Sequence, residues 1–385
     1  AMGAEITGGT TSAAGGPTIN AKRMDGLDLL RFFLALGVMW LHFFFALPEV
    51  YFVHDAPEGA RAWVFARYTL EVFFIISGMV IFQTGRTRSF VDFWVNRLVR
   101  LIPTMFVCAT LTVAVTKLFP VPNFPYISLV QWVASVLTVP LALKESWGVD
   151  WSYWTLTYEM RFYLLASVFF MFVHSMRDTI AALAIWLAAT FLASLTQSPV
   201  LETLTLAKAA PCFIFGILIT LHMTQPGWRR SIYAIGAGSV ALMPWQMMIA
   251  VGRREAWQAI TWPEALVTTV ALLAALFGFL AWRNAGRFRA ITLACGSASF
   301  PLYVLHYFIG TIIILHLYHA GVPWVWSVLA ASAVVIALAF VVSQLLAPAI
   351  GKHLDAMLRA LVPLLGRLVP RPLWSPLTTR PVAQR

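Results

Sequence analysis

Arg31 and His42 stand inside one apolar run, with Phe-Phe-Leu-Ala-Leu-Gly-Val-Met-Trp-Leu between them. In a regular α-helix their separation returns the two side chains to within about 20° of one another, about 16 Å apart along the axis. Ionisable groups at two depths of one helical face are costly in a bilayer and mark functional sites. A neutral imidazole can take a proton from a hydroxyl and return it to a leaving group, and a guanidinium can hold an anion. The plainer readings are that Arg31 snorkels to lipid headgroups and that His42 hydrogen-bonds a neighbouring helix.

Other residues of the same chemical kinds sit in apolar surroundings. Glu71, in Tyr-Thr-Leu-Glu-Val-Phe-Phe-Ile-Ile-Ser-Gly, could pair with Arg31, His42 or Arg67, or contact substrate, and Ser77-Gly78 after it would let a second helix approach closely. Arg97 and Arg100, three apart, project from one helical face. Two such groups can hold phosphate bidentately, or simply anchor the chain to anionic lipid. Segment 147–163 gathers Trp147, Asp150, Trp151, Trp154, Tyr158, Glu159 and Arg161. Aromatic faces beside carboxylates suit a hydroxyl-rich ligand such as a sugar, with Asp150, Trp151, Trp154 and Tyr158 as its contacts. An interfacial aromatic belt is the plainer account. Glu159 could also orient His42 as its carboxylate partner. His306, near Ser299 and Tyr303, reads as structural, as a catalytic group or as a further substrate contact. No pair of histidines has zinc-site spacing with a third ligand, so no metal is expected. Cys108, Cys212 and Cys295 lie in apolar segments and read as small hydrophobes.

The elements that must position these residues are transmembrane helices. Of 385 residues, 60% are hydrophobic and 11% charged, which excludes an ordinary soluble domain. Ten spans are expected, at 27–47, 67–84, 98–118, 155–174, 179–196, 204–224, 231–250, 263–282, 291–318 and 323–346. Segment 128–143 is shorter, ends its apolar run at Pro140 and reads as interfacial or re-entrant. The net charge of +11 is read as topology and not as a nucleic-acid footprint. With both termini cytoplasmic, Arg97, Arg100, Arg177, Arg229, Arg230, Arg287 and Arg289 all fall inside. The expected organisation is all-α: a disordered tail over 1–22, a transmembrane domain over 23–350 and a cytoplasmic tail over 351–385. The first apolar run is a full span, so no cleavable leader is expected.

In this order the motifs resemble those of the membrane-bound acyltransferase type 3 proteins, which O-acylate sugars and cell-envelope or secreted glycans. Arg31 and His42 are similar to the Arg and His, ten residues between them, of that family's first helix. Met24-Asp25-Gly26-Leu27-Asp28-Leu29-Leu30-Arg31 resembles its opening run. Glu71 with Phe73-Phe74 and Ser77-Gly78 resembles its second helix, with Glu where Asp is commoner. Arg97, Arg100 and Pro103 match its Arg-x-x-Arg and proline. Trp154-Thr-Leu-Thr-Tyr-Glu159-Met-Arg-Phe-Tyr163 resembles its Trp-Ser-Leu-(Ser/Thr)-x-Glu signature, with Thr155 for the usual serine. Ser299-Phe-Pro-Leu-Tyr303-Val-Leu-His306 resembles a late Ser-x-x-Leu-Tyr-x-x-His element.

The resemblance implies a multi-pass protein of the bacterial cytoplasmic (inner) membrane. It also implies acyl-CoA, most often acetyl-CoA, as donor and a carbohydrate or glycolipid hydroxyl as acceptor. Arg97, Arg100 and Arg31 would then meet the CoA phosphates, and His42 would be general base or transient acyl carrier with Glu159 in support. A transporter or flippase of an amphiphilic substrate, and a structural subunit of an envelope assembly, remain open from the residues alone. So does the oligomeric state, a homo-oligomer included.

Overall fold

The computed structural model describes residues 25–51, 60–86, 90–121, 124–137, 148–251, 260–282 and 285–368. The expected tail over 1–22, together with Met24, Pro140 and Trp147, lies outside the described residues.

Within them the chain is predominantly helical, without strands. Helix α1 (Asp25–Tyr51) is followed by a 3₁₀ segment, Ala60–Tyr68, and α2 (Thr69–Gly85). Then come α3 (Phe90–Leu118), α4 (Leu129–Val136), α5 (Trp154–Phe172), α6 (Met176–Thr196) and α7 (Pro199–Thr205). The rest are α8 (Ala210–Thr224), α9 (Arg229–Val251), α10 (Trp262–Ala281), α11 (Arg289–His319), α12 (Trp324–Val341) and α13 (Ala347–Leu368). Among the described residues nine helical stretches are long and apolar enough to cross a membrane. The remaining expected span, 155–174, forms α5, whose 19 residues include Glu159 and Arg161 and so lack an unbroken apolar run.

Three local features depart from ten plain helices. Span 204–224 is broken at Leu206, which takes a left-handed conformation (φ 55°) and ends α7. Trp186 Nε1 donates to the Thr205 carbonyl (2.7 Å), satisfying one of the acceptors that a helix end leaves over. In 128–143, only α4 is a described helix; a reciprocal Ser128–Gln131 capping box starts it. Trp132 Nε1 holds it to Thr110 on α3 (3.1 Å). The last span runs on past 346 through a π-helical turn, Val342–Leu346, into α13. There Ile350, Leu354 and Leu358, four apart, are half-buried, and α13 packs along α3.

Close packing comes from small residues. Gly78 on α2 and Gly216 on α8 face each other's helix so tightly that a Cβ on Gly78 would overlap the Phe213 carbonyl. One on Gly216 would overlap that of Ile75. Without a hydrophobic drive between helices in lipid, such backbone approach is what associates them. Helices α1 and α11 run parallel: Asp28 covers Gly296 and, further along, Phe43 covers Gly310. Below these contacts Asp25 accepts a hydrogen bond from the Ala285 N–H (3.1 Å), and Arg289 lies 4.0 Å from its other oxygen. The outward apolar side chains of α10, including Leu266, Val267, Val270 and Phe277, face lipid.

The α2–α8 contact gives a direct test. Gly216→Val should force these helices apart and cost about 1–3 kcal/mol as overpacking does. The readout is a lower thermal midpoint in detergent, compared with Gly227→Val, where a Cβ meets nothing within 4 Å.

Candidate active site

The polar residues inside the helices form two groups, one above the other along α1 and α11. The first lines a cavity of about 70 Å³ between α1, α2, α3, α5 and α11. Arg31, Arg97, Arg100, Ser77, Thr155, Glu159, Tyr163, Ser299 and Tyr303 all contribute to its wall, with Phe73, Phe74 and Phe300 among the apolar members. Of these, Arg100 is exposed and marks the mouth, whereas Arg97 is buried.

Arg97 is held by its surroundings. Its Nη2 donates to Thr84 Oγ1 (2.7 Å), and its guanidinium lies 5.6 Å from the ring centres of both Phe93 and Tyr163. Such cation–π contacts offset part of the cost of leaving water. Tyr163 in turn donates its hydroxyl to Glu159 Oε1, which Ser77 Oγ also approaches at 3.5 Å. Arg31 lies close enough to Arg100 and Glu159 for their charges to interact. Three guanidinium groups therefore share a wall with one carboxylate, and the lining has a surplus of positive charge.

The second group surrounds His42. Here α1 leaves regular α geometry for a π-helical turn, Leu41–Ala46, and the Leu47 N–H reaches back to the His42 carbonyl. A π-turn winds more residues into each turn, so the angular relation expected of a regular helix does not carry through His42. Arg31 lines the cavity and His42 does not. Instead the His42 ring lies 5.3 Å from that of His306 and edge-on to Tyr307 at 4.5 Å. The next carbonyl of the π-turn, that of Phe43, accepts from Trp324 Nε1 (3.2 Å).

Two interruptions shape α11 around His306. Pro301 lacks an N–H, and the Phe308 N–H donates to Asp150 Oδ2 (2.8 Å). Side chains inserted in this way loosen a helical ladder. Between them the Tyr303 carbonyl receives His306 Nδ1 at 2.6 Å. The Tyr303 hydroxyl donates to the Ser152 carbonyl (2.9 Å) and accepts from Thr155 Oγ1 (2.8 Å). Tyr303 thus belongs to both groups.

The remaining sequence candidates take separate places. Asp150 is fully buried; its Oδ1 accepts from the Ser152 N–H and hydroxyl, each at 2.8 Å, while Oδ2 accepts from Phe308. Its carboxylate is committed to protein donors and fastens the 148–153 loop to α11. Trp151 is exposed and its ring lies tilted against that of Tyr307 (5.7 Å), which gives a line of rings from Trp151 through Tyr307 to His42. Trp154, also exposed, packs edge-on against Tyr158 at 5.8 Å. Glu71 lies outside the cavity wall, near Cys212 of α8. The three cysteines are buried free thiols. Tyr163, Thr84 and Tyr307 were not assigned roles from sequence. The four-residue step from Glu159 to Tyr163 was the available signal for the first, and adjacency to His306 for the last.

The family model described as "Acyltransferase domain" matches residues 24–344, most of the chain. No curated protein and no solved structure matches it.

The geometry separates a fastening residue from an accessible one nearby. Asp150→Ala leaves buried N–H donors without acceptors and should cost about 1–3 kcal/mol, seen as a lower thermal midpoint. Trp151→Ala should stay within about 0.5 kcal/mol of wild type.

Proposed function

The chain belongs to the acyltransferase type 3 family and is a multi-pass membrane acyltransferase, and we propose that it draws its acyl group from a cytoplasmic acyl-CoA. Acetyl-CoA is the first donor to test. The acceptor is a hydroxyl of a carbohydrate or glycolipid reached from the other face of a bacterial cytoplasmic membrane. The observation that carries this reading is the convergence of Arg31, Arg97 and Arg100 on one cavity whose wall holds a single carboxylate, Glu159. A surplus of buried positive charge calls for a polyanion, and a CoA carries phosphates at one end and its thioester at the other.

In this reading the guanidinium groups take the phosphates at the mouth, where Arg100 is exposed. Glu159, bonded to Tyr163 and Ser77, positions the arginines, a different task from orienting His42. The pantetheine arm would run up along α1 towards His42, about 16 Å from Arg31 by helix rise. There His42 takes the proton of the acceptor hydroxyl as its oxygen attacks the thioester carbon. The C–O bond forms, the C–S bond breaks, and the proton passes from the imidazolium to the departing thiolate. Trp151 and Trp154, exposed on the acceptor side, offer ring faces to the sugar.

Binding and turnover should separate cleanly. With purified protein, Arg97→Ala/Arg100→Ala should weaken acetyl-CoA binding tenfold or more, and wild-type binding should fall with added salt as charge is screened. His42→Ala should bind acetyl-CoA as wild type does but lose about 10²–10⁴-fold in CoA release. Wild-type protein that releases no CoA from any of a panel of acyl-CoAs, yet moves an amphiphile across vesicles, would establish transport instead.

A further inference from the structure

A general base needs one ring nitrogen free and the other fixed. In His42 the Nδ1 atom is buried and has no hydrogen-bond partner, while the residue as a whole is partly exposed, so Nε2 is the nitrogen left to meet the acceptor hydroxyl. For Nε2 to carry the lone pair, Nδ1 must carry the hydrogen, and a buried N–H wants an acceptor. The cavity carboxylate does not supply it: Glu159 lines the arginine cavity, and His42 does not.

His306 has the complementary vacancy. It is completely buried, and its Nδ1 faces the Tyr303 carbonyl at 2.6 Å. A carbonyl oxygen only accepts, so this contact places the His306 hydrogen on Nδ1 and the lone pair on Nε2. That Nε2 is buried and unpartnered. An N–H···N bond of about 2.9 Å between two imidazoles puts their centres about 5 Å apart, and these two centres are 5.3 Å apart. Pairing therefore asks for reorientation of a ring and no movement of a helix.

We propose that His306 is the positioning residue of His42: its Nε2 accepts the His42 Nδ1–H, and the chain Tyr303 carbonyl–His306–His42 fixes His42 as the Nδ1–H tautomer with Nε2 as base. This deepens the acyl-transfer reading above and rests on it. The two histidines form a neutral relay in which a backbone carbonyl stands where a carboxylate would serve in water. When His42 takes the acceptor proton on Nε2, the Nδ1–H···Nε2 bond becomes charge-assisted and strengthens, which favours the charged intermediate over the resting pair. The mechanism needs no change in proton count: His306 lends a lone pair and keeps its own hydrogen.

The test has two arms. In the first, protein with ¹⁵N-labelled histidine is compared with His42→Ala to assign the His42 signals. Wild-type His42 is expected as the Nδ1–H tautomer, and an Nε2–H tautomer overturns the proposal whatever the variants do. In the second, CoA release from acetyl-CoA is followed with water as the acceptor. His306→Leu, which fills the site without an acceptor, should bind acetyl-CoA normally and lose at least about 100-fold in kcat. His306→Gln, whose amide oxygen can accept, should recover at least tenfold over His306→Leu. Equal activity of His306→Leu and wild type, or equal loss in both variants, overturns the pairing. Wild-type turnover in His42→Ala instead brings down the acyl-transfer reading itself, independently of His306.

Discussion

The parallel contact of α1 with α11 is the constraint on which the site depends. It is set at three levels: Asp25 against the Ala285 N–H, Asp28 over Gly296, and Phe43 against Gly310. Lipid offers no hydrophobic incentive for two apolar helices to associate, so shape and polar pairing must do it. The first of these contacts gives meaning to the Asp25-Gly26 pair that opens the family motif. A Cβ on Gly26 would overlap the Phe279 carbonyl, so the start of α1 sits directly on the end of α10. With that end anchored, α1 brings Arg31 into one cavity wall with Ser299, and the π-turn at Leu41–Ala46 sets His42 beside His306.

Charge inside the bundle is tolerated because each group is given a specific surrounding. Arg97 lies between two aromatic rings and hydrogen-bonds a threonine. Glu159 has hydroxyl donors, and Asp150 spends its carboxylate on backbone and hydroxyl donors in a buried loop. These contacts leave the cavity lining with three guanidinium groups and one carboxylate, a surplus of positive charge that an anionic ligand can meet.

Much of this architecture was legible in the sequence, for identifiable reasons. The spans follow from apolar run length, and Ser77-Gly78 announced the close contact that Gly78 makes with α8. Arg97 and Arg100, three apart, were expected on one face and both line the cavity. What was hidden depended on tertiary partners. The π-turn at Leu41–Ala46 has no compositional signature, so the azimuth of His42 could not be read from residue counting. Asp150 looked like a sugar contact because its partner, the Phe308 N–H, is 158 residues away and is normally spent within its own helix. The nearness of His42 to His306 is likewise a property of how two distant segments pack. The break at Leu206 gave no warning because leucine is among the residues least suited to a left-handed conformation.

Tyr303 and Phe73, whose ring centres are 6.3 Å apart, both line the arginine cavity, and the ring of Tyr303 also lies 5.6 Å from that of His306, which does not line it. This placement of rings between the two polar groups has an electrical consequence. A membrane that stores energy as an ion gradient is short-circuited by any continuous file of water across it. The two polar groups of this bundle nevertheless stand one above the other along α1 and α11. Interrupting that file with two rings lets the protein be polar on both sides and insulating in the middle.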